Sequence, residues 1–323
     1  MKPRVISTFS GCGGSSMGYH LAGYDVLLAC EIDQHAVDTY KLNFPDTEVY
    51  HGDIHDLTGE EIFKLTGLKK GELELFDGSP PCQGFSMSGK REFCDPKNQL
   101  YHEYIRLLRE LEPKTFVMEN VRGLVQGKMK LIFKDILTQL KQSGYDVQVK
   151  LMNAMYYNCA TNRERVIFIG VRKDLGIPAS HPNPQTKPTT VRECLGDYRS
   201  PNAHESNKGQ YIRDNIHLLK PGQNMGKIHP KGSYFNCHKI DLDKPCPTIL
   251  RAGYGLVMMP DNLTMEPEEA ALFQSFPPDF KWTGTPSKQW ERIGNSVPPN
   301  LMRAIAEHVK TEILQKTEEK IEK

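Results

Sequence analysis

The sequence predicts an α/β fold: a doubly wound, mostly parallel sheet with a smaller, loop-rich domain inserted after it. Two observations carry this prediction. Short apolar runs alternate with amphipathic segments through about residue 174, as expected for strands that helices cover on both faces. The stretch 177–262 then holds 10 of the 22 prolines and shows no sustained helical periodicity.

The elements alternate in order along the first half of the chain. We expect strands at 4–9, at 25–30, just ahead of Asp53, and at 74–77, 116–118 and 166–171. We expect helices at 15–23, at 34–44, at 100–111, around 133–140 and at 300–314. The helix at 100–111 has the clearest pattern, because Tyr104, Ile105 and Leu108 recur on one face at the 3.6-residue period.

Three segments follow from this pattern. Residues 1–176 form the sheet domain, residues 177–262 form the inserted domain, and residues 263–323 return to the sheet domain through the last helix. A length of 323 residues fits about two domains. The inserted segment contains 11 Lys and Arg against 7 Asp and Glu, so its surface is mildly basic although the whole chain carries only +1.

Composition excludes several classes of protein. No apolar run reaches the ~18 residues of a membrane helix, and the first residues do not resemble a signal peptide. The eight cysteines include no Cys-x-x-Cys pair, which fits neither a disulfide scaffold nor a zinc ribbon. We therefore expect a reduced, cytoplasmic protein with no metal site and no membrane contact.

A glycine-rich loop at residues 9–14 follows the first strand and opens a helix. Such a loop lets a ligand approach the backbone and the helix N-terminus, although a purely structural role is the alternative. Glu31 ends the second strand and Asp53 follows the third, where acids can bind a ribose and an adenine amino group. Ser16 stands where a dinucleotide fingerprint needs its third glycine, which argues against NAD. These features favour S-adenosylmethionine.

Cys82 follows a predicted strand on a sharp turn. Pro80 and Pro81 fix the backbone ahead of it and Gly84 frees the backbone behind it, which is typical of a held nucleophile. The other seven cysteines are expected to be small buried apolar residues.

Two further groups are predicted to support this cysteine. The apolar strand 116–118 runs into Glu119, which places a carboxyl group at the sheet edge of Cys82 as a proton donor. Arg163 and Arg165 share one face of an extended segment and suit an anion. A helix-capping acid and a surface ion-pair ladder are the alternatives.

Four motifs occur in chain order: 78–86 (GSPPCQGFS), 119–121 (ENV), 163–165 (RER) and 294–297 (GNSV). Together they resemble the DNA (cytosine-5)-methyltransferases of bacterial restriction–modification systems. The resemblance implies an S-adenosylmethionine-dependent, Rossmann-like methyltransferase whose inserted domain, 177–262, recognises the target sequence. It implies a monomer that acts on double-stranded DNA, with a cognate restriction endonuclease as partner.

The resemblance also assigns residues. Cys82 would be the nucleophile, and Glu119, Arg163 and Arg165 would support the target base. The loop 83–97 would close over a flipped-out base. Residues implied to line the S-adenosylmethionine site are Phe9, Gly11, Gly13, Glu31, Ile32, Asp53, Ile54, Pro80, Leu100, Asn295 and Ser296. Residues implied to contact DNA are Ser88, Lys90, Arg91, Thr248 and Arg251.

The chain departs from the family pattern at three places. Ser7 stands where the family usually has Asp, Ala160-Thr161 replaces a common Pro-Gln, and Ala271-Leu272 lacks a frequent arginine. None of these positions is the predicted nucleophile or acid, so we expect an active enzyme.

The recognition sequence is not predicted beyond a short, palindromic duplex site, bound by a helix-free unit through its loops. Candidate base or phosphate contacts in this unit are Arg192, Arg199, Arg213, Lys227, Lys231, Lys239 and Arg251. Alternatives to DNA methylation are a tRNA cytosine-5-methyltransferase, a catalytically idle DNA-binding protein and a nucleotide-dependent oxidoreductase.

Overall fold

The structure is a computed structural model and describes residues 2–81, 100–234 and 236–321. The strands, in chain order, are β1 (Arg4–Thr8), β2 (Asp25–Glu31), β3 (Glu48–His51), β4 (Leu75–Gly78), β5 (Thr115–Val121), β6 (Tyr145–Asn153), β7 (Thr161–Asn162), β8 (Glu164–Arg172), β9 (His238–Lys239), β10 (Cys246–Pro247) and β11 (Val257–Met258).

Eleven α-helices are assigned within the described ranges. They are α1 (Gly14–Leu21), α2 (Gln34–Asn43), α3 (Gly59–Thr66), α4 (Leu100–Leu111), α5 (Lys130–Gln142), α6 (Val191–Leu195), α7 (Gln210–Asn215), α8 (Pro267–Phe273), α9 (Pro286–Asn295), α10 (Pro299–Val309) and α11 (Gln315–Ile321). A π-helical turn at Lys310–Leu314 joins the last two. Of the helices that the structure describes, none has both the length and the apolar character needed to span a bilayer.

The chain divides into two compact units. Unit 1 comprises Met1–Met152, Glu164–Asn183 and Met302–Lys323, and unit 2 comprises Asn153–Arg163 and Pro184–Leu301. These boundaries differ from the predicted ones at 176 and 262. Part of the reason is that β10 pairs with β7 inside unit 2, so a two-residue strand that precedes Arg163 packs with the inserted segment. The assignment of 177–262 to target recognition stays a prediction.

Unit 1 contains a seven-stranded sheet in the order β3-β2-β1-β4-β5-β8-β6. The first five strands pair with one another in parallel: β3 with β2, β2 with β1, β1 with β4, and β4 with β5. Strand β8 is antiparallel to β5. The predicted doubly wound, mostly parallel sheet is therefore confirmed. Because parallel strands end in the same direction, the loops after β1, β2, β3, β4 and β5 meet at one edge.

Helix α4 has the predicted bounds and buries its apolar face. Tyr104, Ile105 and Leu108 are fully buried in a core that also contains strand residues Phe76 and Phe116. The Tyr104 hydroxyl donates to the carbonyl oxygens of β4 and β5 at 3.2 Å, which satisfies its polar end inside the core.

Three expectations about secondary structure were wrong or incomplete. Helix α3 and strand β6 were not predicted. The inserted segment is not helix-free, because α6 and α7 lie within it with 5 and 6 residues. Helices this short complete fewer than two turns, so they show no periodicity. The start of α6 is stabilised locally, by a capping box between Thr190 and Glu193.

The end of the chain contributes to unit 1. The Tyr24 hydroxyl donates to the carbonyl oxygen of Ala306 at 2.9 Å, and Lys310 Nζ donates to the carbonyl oxygen of Ala22 at 3.3 Å. The helical region that was expected at 300–314 begins with α10, and these bonds attach it to the chain around β2.

A carboxyl group is buried between β1, β4 and α1. Asp77 on β4 is 1% exposed, and it accepts hydrogen bonds from Ser7 Oγ at 2.7 Å and from the Tyr19 hydroxyl at 2.9 Å. Burial raises the pKa of the Asp77 carboxyl to about 7, with a smaller contribution from the nearby Glu119, although the two hydrogen bonds oppose this rise.

This raised pKa predicts a pH-dependent stability. The folded protein keeps a proton that the unfolded chain releases near the ordinary value of 3.8, so the associated stability is complete below about pH 4 and lost by about pH 7. Relative to Asp77→Asn, the free energy of unfolding of the native protein should fall across this range by at most about 4 kcal/mol. Urea denaturation of both proteins at pH 5 and pH 7.5 measures the difference. A constant difference between the two pH values would contradict the prediction.

Candidate active site

The glycine loop (residues 9–14) connects β1 to α1 in a conformation that ordinary residues rarely adopt. Phe9, Gly11 and Gly13 have φ angles of 53°, 57° and 95°. A Cβ atom at Gly13 would lie 2.4 Å from the ring of Phe44, so glycine is required there both for its backbone angle and for packing.

The Glu31 carboxylate binds this loop directly. Its Oε2 accepts from the backbone N–H of Gly11 at 2.8 Å, and its Oε1 accepts from the N–H groups of Ile32 and Asp33 at 2.8 Å each. The Ile32 side chain beside it is 63% exposed, an apolar surface next to a fixed carboxylate. The end of β2 and the glycine loop are thus preorganised together.

Asp53 lies at the end of the neighbouring strand, where Gly52 N–H donates to the carbonyl oxygen of Glu31 at 3.2 Å. Its Oδ1 accepts from the backbone of His55 at 3.0 Å and contacts His55 Nδ1 at 2.6 Å. These bonds lower the pKa of Asp53, and the side-chain bond raises the pKa of His55. His55 was not among the predicted site residues, although the Asp-x-His spacing at 53–55 could have indicated it. Ile54 between them is buried in the core.

The turn after β4 is held by the motif that ends β5. Asn120 is buried and its Nδ2 donates to the carbonyl oxygen of Pro80 at 3.1 Å. Cys82, Ser88, Lys90 and Arg91, with the loop predicted to close over a base, lie outside the described residues. Leu100 begins α4 and packs on the core.

Glu119 and Arg165 form a buried ion pair across β5 and β8. Arg165 Nε lies 2.6 Å from Glu119 Oε1, and Glu119 is 7% exposed. Burial lowers the pKa of the Arg165 guanidinium, and the attraction of Glu119 opposes this effect. A second nitrogen, Nη1, donates to the carbonyl oxygen of Glu164 at 2.8 Å, which fixes the plane of the guanidinium. The pair can present oriented donor and acceptor groups to a heterocyclic base.

Arg163 belongs to unit 2 and has different contacts. It is 1% exposed, and its two Nη atoms donate to the carbonyl oxygens of Ile249 at 3.3 Å and Gly294 at 3.0 Å. The side chain therefore joins the Thr248-Ile249 segment to the Gly294-Asn295 segment. Its catalytic role stays a prediction.

The other predicted residues of unit 2 surround this junction. Thr248 Oγ1 donates to the carbonyl oxygen of Asn162 at 2.6 Å, and Arg251 pairs with Glu291. Ser296 Oγ donates to the carbonyl oxygen of Arg292 at 2.8 Å, whereas Asn295 is exposed at the end of α9. A Cβ atom at Gly294 would approach the backbone at 250–251 to 2.8 Å, so only glycine allows this close contact.

Within unit 1, the structure brings most of the predicted residues to one sheet edge. The group at the ends of β1 to β5 comprises Phe9, Gly11, Gly13, Glu31, Ile32, Asp53, Ile54, Pro80 and Glu119. Arg165 joins them through its ion pair with Glu119. The described residues contain no cluster of three or more His, Cys, Asp or Glu side chains that could hold a metal ion.

Comparison with known proteins extends these observations over nearly the whole chain. Among similar proteins, the Type II methyltransferase M1.HphI of Haemophilus parahaemolyticus is 34% identical, with 96% of this chain and 87% of the relative covered. The Type II methyltransferase M.XorII of Xanthomonas oryzae pv. oryzae is 32% identical over 98% of this chain and 87% of the relative.

Solved structures share the fold. A protein encoded within an Escherichia coli prophage has a TM-score of 0.78 at 27% identity, with 97% of this chain and 100% of that chain covered. The Dnmt2 methyltransferase of S. pombe has a TM-score of 0.69 at 18% identity, with 96% and 99% covered, which supports the fold alone. Residues 3–311 match the family described as C-5 cytosine-specific DNA methylase. Because this match spans nearly all of its length, the chain belongs to the C-5 cytosine-specific DNA methylase family.

Proposed function

We propose that this cytosine-5 DNA methyltransferase modifies a short, specific duplex sequence through a covalent adduct between Cys82 and a flipped-out cytosine. S-adenosylmethionine is the methyl donor, and a cognate endonuclease is the partner in a restriction–modification system. The observation that carries the proposal is the buried Glu119–Arg165 pair, on the strand next to the Pro80 turn that precedes Cys82. The Type II methyltransferases among its relatives support the biological role.

The chemistry explains why these groups are needed. Carbon 5 of cytosine is a weak nucleophile, so the Cys82 thiolate first adds to carbon 6 and turns the ring into an enamine. Glu119 binds ring nitrogen 3 and the exocyclic amine, where charge develops, while Arg165 holds Glu119 in place and binds the base oxygen. Carbon 5 of the enamine would then bond to the electrophilic methyl group, and the donor sulfur would leave as a neutral thioether. Loss of the proton from carbon 5 to a base, such as water, re-forms the ring double bond, breaks the sulfur–carbon bond and releases the thiolate. The target base must leave the duplex, at a cost of about a few kcal/mol, because these atoms are inaccessible in the helix.

The edge of unit 1 fits the adenosyl part of the donor. Glu31 retains acceptor capacity for ribose hydroxyls, Asp53 Oδ2 can accept from an adenine amine, and the exposed Ile32 offers an apolar surface for the adenine ring. Bound S-adenosylmethionine would supply an electrophilic methyl group on its sulfonium. The bonds that already fix Glu31 keep its carboxylate from reorganising on binding.

The target-recognition role of the insert is supported by how its cations are paired. Several arginines and lysines offered by the sequence as DNA contacts are engaged within unit 2. Arg192 pairs with Asp243, Arg199 with Asp261 and Glu269, Lys239 with Asn262, and Arg251 with Glu291. The three arginines are neutralised by carboxylates and have little left to offer a phosphate, and Lys239 is buried.

The remaining candidates lie in one stretch, which we call the basic segment (residues 206–236). It contains five Lys and Arg, including Arg213, Lys227 and Lys231, against a single Asp, whereas the rest of 177–262 has six of each sign. In the ranges that the structure covers, none of these five cations has a carboxylate partner. The basic segment therefore holds the whole charge excess of the insert, and we propose that it contacts the DNA backbone.

The basic segment also presents aromatic rings. The His229 ring lies 4.7 Å from that of Tyr211 and 5.1 Å from that of Tyr234, and Tyr234 is exposed with a φ of 61°. His229 Nδ1 accepts from the backbone N–H groups of Lys231 and Ser233 at 3.2 Å, which fixes this loop. A rigid loop with exposed cations and a tyrosine suits groove contact better than a solvated linker does.

Cofactor binding is tested at Glu31. Glu31→Gln removes the charge that would bind the ribose and is expected to weaken S-adenosylmethionine binding by roughly tenfold or more. Equilibrium titration measures the dissociation constant, and Glu48→Gln, at an exposed position of β3, is the matched control. NAD should not bind. Equal affinity of the Glu31 variant and the native protein would contradict the assignment.

Catalysis is tested with DNA that contains 5-fluorocytosine. Native protein should form a denaturation-resistant adduct and Cys82→Ala should form none, whereas Cys194→Ala should behave like the native protein. Glu119→Gln should keep cofactor affinity and lose about 10²–10³ in the single-turnover rate. Bisulfite sequencing of host plasmid DNA identifies the target. Methylation of tRNA transcripts in preference to duplex DNA would instead support the tRNA methyltransferase alternative.

DNA contact by the basic segment is tested by the salt dependence of binding. The slope of log affinity against log salt is negative, and its magnitude should fall by about 1.8 in the double variant Lys227→Gln/Lys231→Gln. The reason is that DNA binding releases fewer counterions when two phosphate contacts are lost. Arg192→Gln removes one charge from an existing ion pair and is the matched control. An unchanged slope in the double variant, or an equal loss in the control, would exclude this segment.

A further inference from the structure

The buried carboxylate of Asp77 is held from two elements at once. Ser7 Oγ on β1 donates to Oδ2, and the Tyr19 hydroxyl on α1 donates to Oδ1. Ser7 and Asp77 are direct partners in the β1–β4 register, and all three residues are buried. Each oxygen of one side chain thus binds a different element, and these two elements flank the glycine loop.

Among the residues that the structure describes, no cation compensates this carboxylate. The groups that face it are Ser7 from β1, Tyr19 from α1, Tyr40 from α2, Tyr104 from α4 and the acidic Glu119 from β5. Across the described residues, no Lys, Arg or His is bonded to Asp77. A buried carboxylate beside a second acid destabilises a fold relative to a neutral residue of similar size. Stability alone therefore does not account for an acid at this position.

Asp77 lies between the glycine loop and the turn that follows β4, which are the two parts of the site whose separation must stay fixed. Ser7 comes just before the glycine loop and Tyr19 follows it on α1. On the other side, β4 continues through Ser79 to Pro80, whose carbonyl oxygen Asn120 holds. A second side chain of β1 binds β4, since Thr8 Oγ1 donates to the main-chain carbonyl oxygen of Asp77 at 3.1 Å.

We propose that Asp77 is a positioning residue for methyl transfer, which acts through Ser7 and Tyr19 to hold the glycine loop in register with the turn at Ser79–Pro81. The donor bound at that loop and the nucleophile that follows that turn would then keep a reactive separation. This inference rests on the cofactor and nucleophile assignments proposed above. Small displacements of reacting groups cost large factors in rate, which is the reason to fix them through one buried group.

The test compares two buried tyrosine hydroxyls. Tyr19→Phe removes the bond to Asp77, whereas the control Tyr24→Phe removes the bond to Ala306 in the same unit. Both variants should lower the thermal unfolding midpoint by a similar few degrees. Only Tyr19→Phe should also lower the single-turnover methylation rate or raise the KM for S-adenosylmethionine, by roughly tenfold or more. Asp77→Asn should lose activity in the same way at pH 8 while its unfolding midpoint stays equal to or above that of the native protein.

The outcomes separate this inference from the proposed function. If native protein forms the 5-fluorocytosine adduct and binds S-adenosylmethionine, but Tyr19→Phe and Asp77→Asn methylate at the native rate and KM, the positioning role is wrong and the proposed function stands. Equal losses of activity in Tyr19→Phe and Tyr24→Phe would likewise reduce the Asp77 contact to a structural one. If native protein neither binds the donor nor forms the adduct, both proposals fail together.

Discussion

The shared direction of β1 to β5 is the constraint on which the site in unit 1 depends. Each of these strands ends at the same sheet edge, so the glycine loop, Glu31, Asp53, Pro80 and Glu119 converge although more than 100 residues separate the first from the last. The parallel direction of the strands places each of these residues at this edge through the backbone alone. Hydrogen bonds between neighbouring loops, such as Glu31 to Gly11 and Asn120 to Pro80, then fix the final positions.

The antiparallel strand β8 adds a charged partner for the carboxyl group at the end of β5. It returns along β5 and sets Arg165 against Glu119 in a place where both are largely removed from water. Desolvation makes such a pair costly for the fold, yet the pairing holds the carboxylate in one orientation at the sheet edge. Arg163, two residues earlier, is used differently, since its guanidinium binds main-chain carbonyl groups of unit 2.

Sequence patterns predicted most of the secondary structure that sets up the site, and they missed the contacts between residues far apart in the chain. The amphipathic face of α4 and the strands before Glu119 and Pro80 follow from periodicity and apolar runs. Strand β6 was missed although its residues alternate in exposure near its start, and α6 is too short for a period to appear. The contacts of Arg163 join residues 86 and 131 positions apart, and the pairing of Asp77 with Ser7 spans 70, which no local pattern encodes. The assignment of Cys82 as the nucleophile rests on the sequence alone.

The basic segment packs on a small apolar core that it shares with residues following it in the insert. This core comprises Ile212, Ile216, Leu219, Met225, Cys237 and Met258. A stretch anchored by such a core can exchange its outward-facing residues while its packing is kept. Under the DNA contact proposed for this segment, such exchanges would change how the protein holds DNA and leave the fold of the segment intact.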